Sequence, residues 1–544
     1  MYLKIILILP TLLFSVSTSN SMNKYHYLEF LEEDEPIVRL IERLYLSSTQ
    51  LPPETGSFYT FADIDRDLEY WILMHPIPTK EQNRLIAETR KILLTVEKEE
   101  IDWAKSEFMP IIEVNSGIDY LYHPNNNTLN EDSLYFNVFR DRDCLTKFNE
   151  RGNLLTIRVK SSYGPYFYVS SQFGLRENWI GLKTKDHHFV KTFHEIDNNF
   201  NQHAYGTFRF GPILLNSGRS RTTLGLGENG KLLIGNELPP LDVFRGSIKF
   251  GKYFNFFYYM MPLNNISSEH LSETLLPKYL LAHRVSWDLP PYFRIAASEM
   301  MIINSYLKWN YLNPLIVYHN ITNANLVNIL TSFDIEFVPF KNLKGYLSVA
   351  IDEIDFYLIE QEGEVPRESR IAMGLQLGLK IINPCNLNNS QILIEYLSTD
   401  RWLYNYQVKN NSKDLTYTFV EKIGFPQTHY FYRFVGHYLG SNVEALFVDF
   451  EYGDLTIKLN NINRGNNYIL DHESTWDESL PNIIENSTSI SLDWEGDIIN
   501  NKLNINSRIG YSWIDNFHNV KGEKLDYPEI WIRLNYSLFL LSDL

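Results

Sequence analysis

The apolar residues of this chain change their spacing once, and that change constrains the fold more than any other feature. Before about residue 116 they recur every three or four positions, as on one face of a helix. From there to residue 544 they recur at every second position, which is the side-chain period of a β-strand. Segment 371–382 is typical, because glycine or polar residues separate its apolar members Met373, Leu375, Leu377, Leu379 and Ile381.

Segments 455–460, 503–513 and 530–540 show the same alternation. Asn229-Gly230 lies between two apolar runs and predicts a tight hairpin. A soluble antiparallel sheet would also alternate in this way. However, the segments have about the 9–11 residues that a tilted strand needs to cross a bilayer. Their apolar faces often end in Trp or Tyr, as in the aromatic girdles of membrane barrels.

The alternating region contains no clear domain break. At about 24 residues per strand and connection it accommodates about 18 strands, within the range of outer-membrane barrels. We therefore predict a mainly β fold, a large antiparallel transmembrane β-barrel of about 16–20 strands. A large soluble β protein is the alternative.

The region before the strands is predicted to be a small bundle of three or four helices. One apolar stripe runs from Leu28 to Leu44 with a break at Pro36, and Thr79 and Gln82 form a capping-box pair. Residues 1–21 have the basic, apolar and small-residue parts of a secretory signal. The expected organisation is a signal peptide at 1–21, a helical periplasmic or plug region at 22–115, and an outer-membrane barrel at 116–544.

Composition excludes several classes of protein. The chain has 66 acidic residues against 49 Lys and Arg, a net charge of −17, so no nucleic-acid partner is expected. Its two cysteines make neither a disulfide framework nor a zinc site. Aromatic residues reach 14%, which argues against disorder.

Charged residues of the barrel are expected to face the lumen, because charge on a lipid face is costly. Glu299 is predicted to do so and to pair there with Arg294 or Arg284, or else to contact a sugar. Tyr311-Leu-Asn-Pro314 indicates a strand end followed by a turn.

Other residues have the chemistry to contact a glycan, a metal or a substrate. Trp402, Tyr404, His429 and His437 are candidate lumen or glycan-contacting residues, with packing and girdle roles as the alternative. The group His187, His188, His194 and Glu195 fits no standard zinc spacing, so no metal is expected. The carboxylates Asp352, Glu353 and Asp355 could suggest a glycosidase site, but a catalytic pair needs a defined separation in space, which the sequence does not show.

Several motifs resemble the capsule-assembly Wzi family of outer-membrane proteins. They are Leu232-Leu-Ile-Gly-Asn-Glu-Leu-Pro-Pro-Leu-Asp-Val-Phe-Arg-Gly246, Phe293-Arg-Ile-Ala-Ala-Ser-Glu299, Tyr311-Leu-Asn-Pro314, Tyr417-Thr-Phe-Val420, Thr428-His-Tyr430 and Gly436-His-Tyr-Leu-Gly440. The last residues, Phe539-Leu-Leu-Ser-Asp-Leu544, lack the terminal aromatic residue that is common in outer-membrane barrels.

The resemblance implies a plugged outer-membrane barrel that holds capsular or other surface polysaccharide, as a lectin does, without catalysis or a cofactor. Its expected partners are membrane lipid and that polysaccharide. Two other functions stay open from the residues alone. One is an outer-membrane channel for small solutes, and the other is a secreted, soluble, β-rich carbohydrate-active enzyme.

Overall fold

The computed structural model describes much of the chain, with gaps in its connections. The described ranges are 25–26, 28–32, 35–54, 58–94, 96–97, 108–122, 145, 152–177, 187–188, 196–198, 200, 202–251, 253–263, 276–320, 327–354, 371–404, 415–423, 429–465, 483–498 and 503–541. The predicted signal peptide, His194, Glu195 and Asp355 lie outside these ranges, as do the side chains of His187, His188, Glu353 and His429.

Eighteen long strands within these ranges form one closed barrel, and we number them alone. They are β1 Phe108–Tyr122, β2 Leu155–Tyr163, β3 Phe167–Glu177, β4 Ala204–Phe210, β5 Ile213–Ser220, β6 Leu241–Phe250, β7 Phe254–Leu263, β8 Lys278–Leu289, β9 Phe293–Asn304, β10 Val327–Phe340, β11 Leu343–Ile354, β12 Ile371–Ile382, β13 Ser390–Thr399, β14 Val443–Tyr452, β15 Leu455–Arg464, β16 Glu485–Asp497, β17 Leu503–Asp515 and β18 Lys524–Leu541.

Each barrel strand pairs antiparallel with the next, and β18 closes the sheet against β1, with Trp531 opposite Leu121. Closure leaves no unpaired sheet edge, as a membrane-spanning sheet requires. The predicted fold class and strand number are confirmed. The segments 371–382, 455–460, 503–513 and 530–540 lie in β12, β15, β17 and β18.

The strand alternation separates an apolar outer surface from a polar lumen. In β9, Phe293 and Ile295 are exposed on the outside, whereas Arg294 and Ser298 are buried on the inside. At the same rim of the outer surface, Phe254 stacks on Trp287 with their ring centroids 5.4 Å apart. An apolar band bordered by aromatic residues is the outer surface of a membrane barrel.

The two ends of the barrel differ in the length of their connections. At the end we call the short-turn end, connections such as 211–212, 290–292 and 453–454 join an even-numbered strand to the next. At the opposite, long-loop end, connections such as 221–240, 305–326 and 400–442 join odd-numbered strands to even-numbered ones. In outer-membrane barrels short turns face the periplasm.

Three helices cover the short-turn end: α1 Pro36–Leu46, α2 Phe61–Met74 and α3 Lys80–Leu93. Thr60 and Thr79 begin α2 and α3 with capping boxes, the second through Gln82 as predicted. The helices share a core that includes Ile41, Leu44, Ile64, Leu68, Trp71 and Leu85. Within the described ranges, no helix combines the length and the apolar character required to cross a bilayer.

Local details differ from the sequence-based expectations in three places. The first helix begins at Pro36, whose missing N–H suits a first helical turn, so Leu28 and Leu31 precede it. β1 begins at Phe108, so the expected boundary between 115 and 116 falls inside a strand. Asn229-Gly230 lies between Leu224 and Ile234, which form one isolated bridge in a connection rather than two barrel strands.

Candidate functional site in the lumen

Segments of the chain enter the lumen from both ends of the barrel. A cavity of about 880 Å³ lies between these segments. Residues of the first 60 positions, such as Glu29, Glu42 and Glu54, line it from the short-turn end. The connection 221–240 lines it from the long-loop end. The wall contributes charged side chains on strands, including Arg245 and Lys458.

Glu42 of α1 fixes the helices to the wall. Its carboxylate accepts hydrogen bonds from Lys344 Nζ on β11 at 3.1 Å and from Lys380 Nζ on β12 at 2.7 Å. Burial alone would raise the pKa of Glu42, but the two ammonium groups hold it well below its usual range. The lysines also contact Glu336 and Glu228, which makes the contact a network of alternating charge.

Asp63 at the start of α2 makes a second charged contact with the wall. It pairs with Arg209 Nη2 at the end of β4, at 3.0 Å, and with Lys249 Nζ at the end of β6, at 3.3 Å. Burial opposes ionisation, yet Lys249, Arg209 and Arg66 keep the pKa of this carboxyl well below its ordinary value. The same side chain caps α2, so the cap and the wall contact depend on one carboxylate.

The segment between α1 and α2 inserts Glu54 into the lumen, where it meets two of the predicted residues. Arg284 Nε donates to Glu54 at 2.8 Å, and its Nη1 also binds Asp334. Arg294 Nη1 donates to Glu336 at 2.8 Å and its Nη2 to the Pro52 carbonyl at 3.0 Å. The two arginines therefore face the lumen, where they bind the plug.

Two connections fold into the lumen from the long-loop end. In 221–240, the Gly230 carbonyl accepts a bond from Gln376 Nε2 at 2.8 Å, and Glu395 accepts the backbone N–H of Glu228 at 2.9 Å. In 400–442, buried apolar residues form one core with those of 221–240 and with those of the barrel wall. That core includes Leu232, Leu233, Ile234, Leu403, Tyr417, Val435 and Leu439.

Tyr404 and His437, both candidate glycan contacts, hold these connections together. The Tyr404 hydroxyl donates to the Leu232 carbonyl at 2.7 Å and accepts the His437 N–H at 3.2 Å. The Tyr404 N–H donates to Asp352 at 2.8 Å. Burial lowers the pKa of His437 to about 3, so the ring is neutral. Both side chains are fully buried and do not face an open surface.

A cationic group of side chains lines one side of the cavity. Arg245 is fully buried beneath Phe30, with its guanidinium 4.3 Å from the ring centroid, and its Nε donates to Asn216 at 3.0 Å. Burial, followed by the positive charges of Arg158, Arg221 and Arg245, lowers the pKa of His203 to about 3. The sequence did not predict this group. Arg245 nevertheless precedes Gly246 at the end of the motif 232–246, and it lies on the polar face of its strand.

Glu299 does not face the lumen, contrary to the expectation. It shares the outer face of β9 with Phe293 and Ile295, and it lies opposite His283 of β8. Its carboxylate is 3.2 Å from His283 Nε2, 2.8 Å from His319 Nδ1, and accepts the Tyr318 N–H at 2.7 Å. The prediction was wrong because the connection after β9 covers this part of the outer wall and supplies the polar partners.

The remaining candidates are placed singly. Trp402 is half-buried at the long-loop end, with the Arg401 guanidinium 5.1 Å from its ring. The backbone of His429 belongs to a short hairpin of Thr418–Ile423 and His429–Phe434. Among the described residues, no group of three His, Cys, Asp or Glu side chains is arranged to hold a metal ion.

Comparison with known proteins places the fold. No family model matches the sequence, and no curated protein does. A solved structure of Wzi from Escherichia coli is similar over 92% of this chain and 98% of its own, with a TM-score of 0.53 and 12% identity. This chain has the fold of Wzi. Wzi itself is a carbohydrate-binding β-barrel, an outer-membrane protein involved in group 1 capsule assembly.

Other outer-membrane barrels are similar at lower scores. OprD from Pseudomonas aeruginosa matches with a TM-score of 0.40, 8% identity, 82% coverage of this chain and 99% of its own. OccAB2 from Acinetobacter baumannii matches with 0.39, 10% identity, 79% and 98%. The resemblance to Wzi that the sequence motifs indicated is confirmed at the level of the fold.

Proposed function

We propose that the protein is an outer-membrane barrel that binds surface polysaccharide at its long-loop end and retains or assembles it on the cell. No catalytic step is part of this proposal. The expected location is the outer membrane, after export by a cleaved signal peptide.

The observation that carries the proposal is the occupied lumen. Glu42, Glu54 and Asp63 bind the plug to lysines and arginines on β4, β6, β8, β11 and β12, and an apolar core fixes the connections at the other end. Contacts of this kind favour a platform for a ligand over a path for solutes. Its likeness in fold to a carbohydrate-binding barrel supports the same function.

The binding test uses full-length protein in detergent and the surface polysaccharide of its own cells, immobilised on beads. We expect retention of the protein and weaker retention of Trp402→Ala, because the half-exposed indole at the long-loop end can stack on a sugar ring. Trp513→Ala, on the outer face of β17, is the matched control and should bind normally.

A deletion strain tests the role in the cell. Loss of the protein should move surface polysaccharide from the cells to the medium, and the wild-type gene should restore retention. Absence of binding together with unchanged surface polysaccharide would refute the proposal. Steady conductance in a planar bilayer would instead support the channel.

A further inference from the structure

The connection that follows β9 lies on the outside of the barrel, and we call residues 305–320 the strap. Met301 and Ile303 of β9 belong to the outer face, yet both are fully buried. They pack with Tyr311 and Tyr318 of the strap in an apolar cluster that also contains Tyr258 and Leu281. A lipid-facing residue of a bare wall would be exposed, so the strap covers this part of the wall.

The level of the strap follows from its contacts. Tyr318 is bound to Glu299, six residues beyond the first residue of β9 at the short-turn rim. A rise of about 3.3 Å per residue and a tilt of about 40° place Glu299 about 15 Å above that rim. The apolar band of an outer-membrane barrel is about 25 Å tall, so the strap lies beside its upper half.

The outer surface of the strap carries large apolar side chains among polar ones, since Lys308, Asn310, Asn313, His319 and Asn320 are also exposed. Trp309 is 89% exposed and Leu315 is 80% exposed, and Tyr306 and Val317 are exposed beside them. Side chains of this kind would be costly in water and favourable in hydrocarbon. They continue the apolar band of the neighbouring strands, represented by Phe333 and Val285.

The strap also satisfies several of its own backbone donors. The N–H of Tyr311 donates to Lys308, that of Ile316 to Asn313 and that of Asn320 to Val317, at 2.9–3.3 Å. Pro314 has no N–H to satisfy. Unpaired backbone groups are costly in hydrocarbon, and these bonds remove part of that cost from the strap.

We propose that the strap is a lipid-contacting surface, and that its partner is the acyl chains of the membrane leaflet at the long-loop end. Its inner side removes the carboxylate of Glu299 from lipid by placing His319 and Tyr318 over it. Its outer side exposes Trp309 and Leu315 to the acyl chains. This inference depends on the barrel lying in a membrane and not on the polysaccharide.

The test measures the depth of a fluorophore in reconstituted full-length protein. In a Cys144→Ser, Cys385→Ser background, Leu315→Cys is labelled with an environment-sensitive dye in phosphatidylcholine vesicles that contain doxyl-labelled acyl chains. Leu377→Cys, on the outer face of β12, reports lipid contact, and Leu387→Cys, in an exposed short turn, reports water. Trp309→Cys is a second strap position.

We expect the Leu315→Cys and Trp309→Cys labels to be quenched by doxyl lipid about as strongly as Leu377→Cys, and to be shielded from aqueous iodide. Strap labels that instead follow Leu387→Cys would overturn the proposal. Strap labels shielded from both quenchers, together with disulfide-linked dimers when the unlabelled Leu315→Cys protein is oxidised, would assign the surface to a second copy and also overturn it. Loss of quenching at Leu377→Cys itself would show that the barrel is not in the membrane.

Discussion

Glu42→Gln should release the helical plug without opening the barrel. Removing one partner of a buried ion pair typically costs about 3–5 kcal/mol. In Glu42→Gln, Lys344 retains its ion pair with Glu336 at 3.3 Å, and Lys380 retains its ion pair with Glu228 at 2.9 Å. Neither lysine is therefore left unpaired. We therefore expect a cost of about 2–3 kcal/mol, which raises the undocked population about 30- to 150-fold.

The assay is the rate at which a buried cysteine in α1 reacts with a thiol reagent under native conditions. Leu46 is fully buried against Val338 and Ile382 of the wall, so Leu46→Cys reacts only when α1 moves away from the wall. Cys385 is exposed and free, and is replaced by serine together with Cys144. Heat-modifiable migration on a gel checks that the barrel itself stays folded.

Glu88→Gln in α3 is the matched control. Glu88 makes one exposed contact with Arg84 at 3.5 Å, and exposed i,i+4 pairs contribute about 0.3–0.5 kcal/mol. Its labelling rate should therefore change by less than about 2.5-fold. Equal labelling rates in Glu42→Gln and Glu88→Gln would refute the role of the Glu42 network in holding the plug.

Three further outcomes are expected. Because the folded-state pKa values of Glu42 and Asp63 are depressed, their contribution to docking is full above a pH of about 4.5 and is lost as pH falls. The labelling rate of Leu46→Cys, divided at each pH by that of the exposed Leu387→Cys to remove the loss of thiolate, should therefore rise in acid; a flat ratio from pH 6 to 3 would contradict this. Gly436→Ala should lower the unfolding temperature through a cost of about 1–3 kcal/mol, because its Cβ would lie 2.5 Å from the fixed Tyr404 ring, whereas Gly206→Ala meets only an ordinary contact. Leu377→Arg should destabilise the membrane-embedded barrel by about 2–4 kcal/mol in denaturant titrations, while Leu387→Arg in the turn should not.

The alternation of apolar residues was sufficient to predict the barrel, since a period of 2 is a local property of each strand. The predicted segment 371–382 has the same bounds as β12. Its apolar residues alternate with glycine and polar residues, so only one of its two faces can line the lumen. The capping box at Thr79 and Gln82 was predictable for the same reason, because its two hydrogen bonds join residues three positions apart.

The contents of the lumen were not predictable from such local patterns. Charged residues on an amphipathic helix are expected to face solvent, and only the tertiary fold brings Glu42 to Lys344 and Lys380, about 300 residues later. Tyr404 was a candidate for its aromatic ring, but its role depends on Leu232 and His437, which belong to two different connections. The sequence contains these residues without indicating their proximity.

The position of Glu299 shows what alternation leaves undetermined. Because side chains alternate between the two faces of a strand, Glu299 shares a face with Phe293 and Ile295, which are exposed apolar residues. The cost of a charge in lipid favours the opposite face, and these two requirements conflict unless something covers the residue. The strap resolves the conflict, because His319 and the Tyr318 N–H solvate the carboxylate on the outer wall. A charged residue in register with a lipid-facing row therefore predicts a covering segment, and the long connection directly after the strand is the first place to search for it.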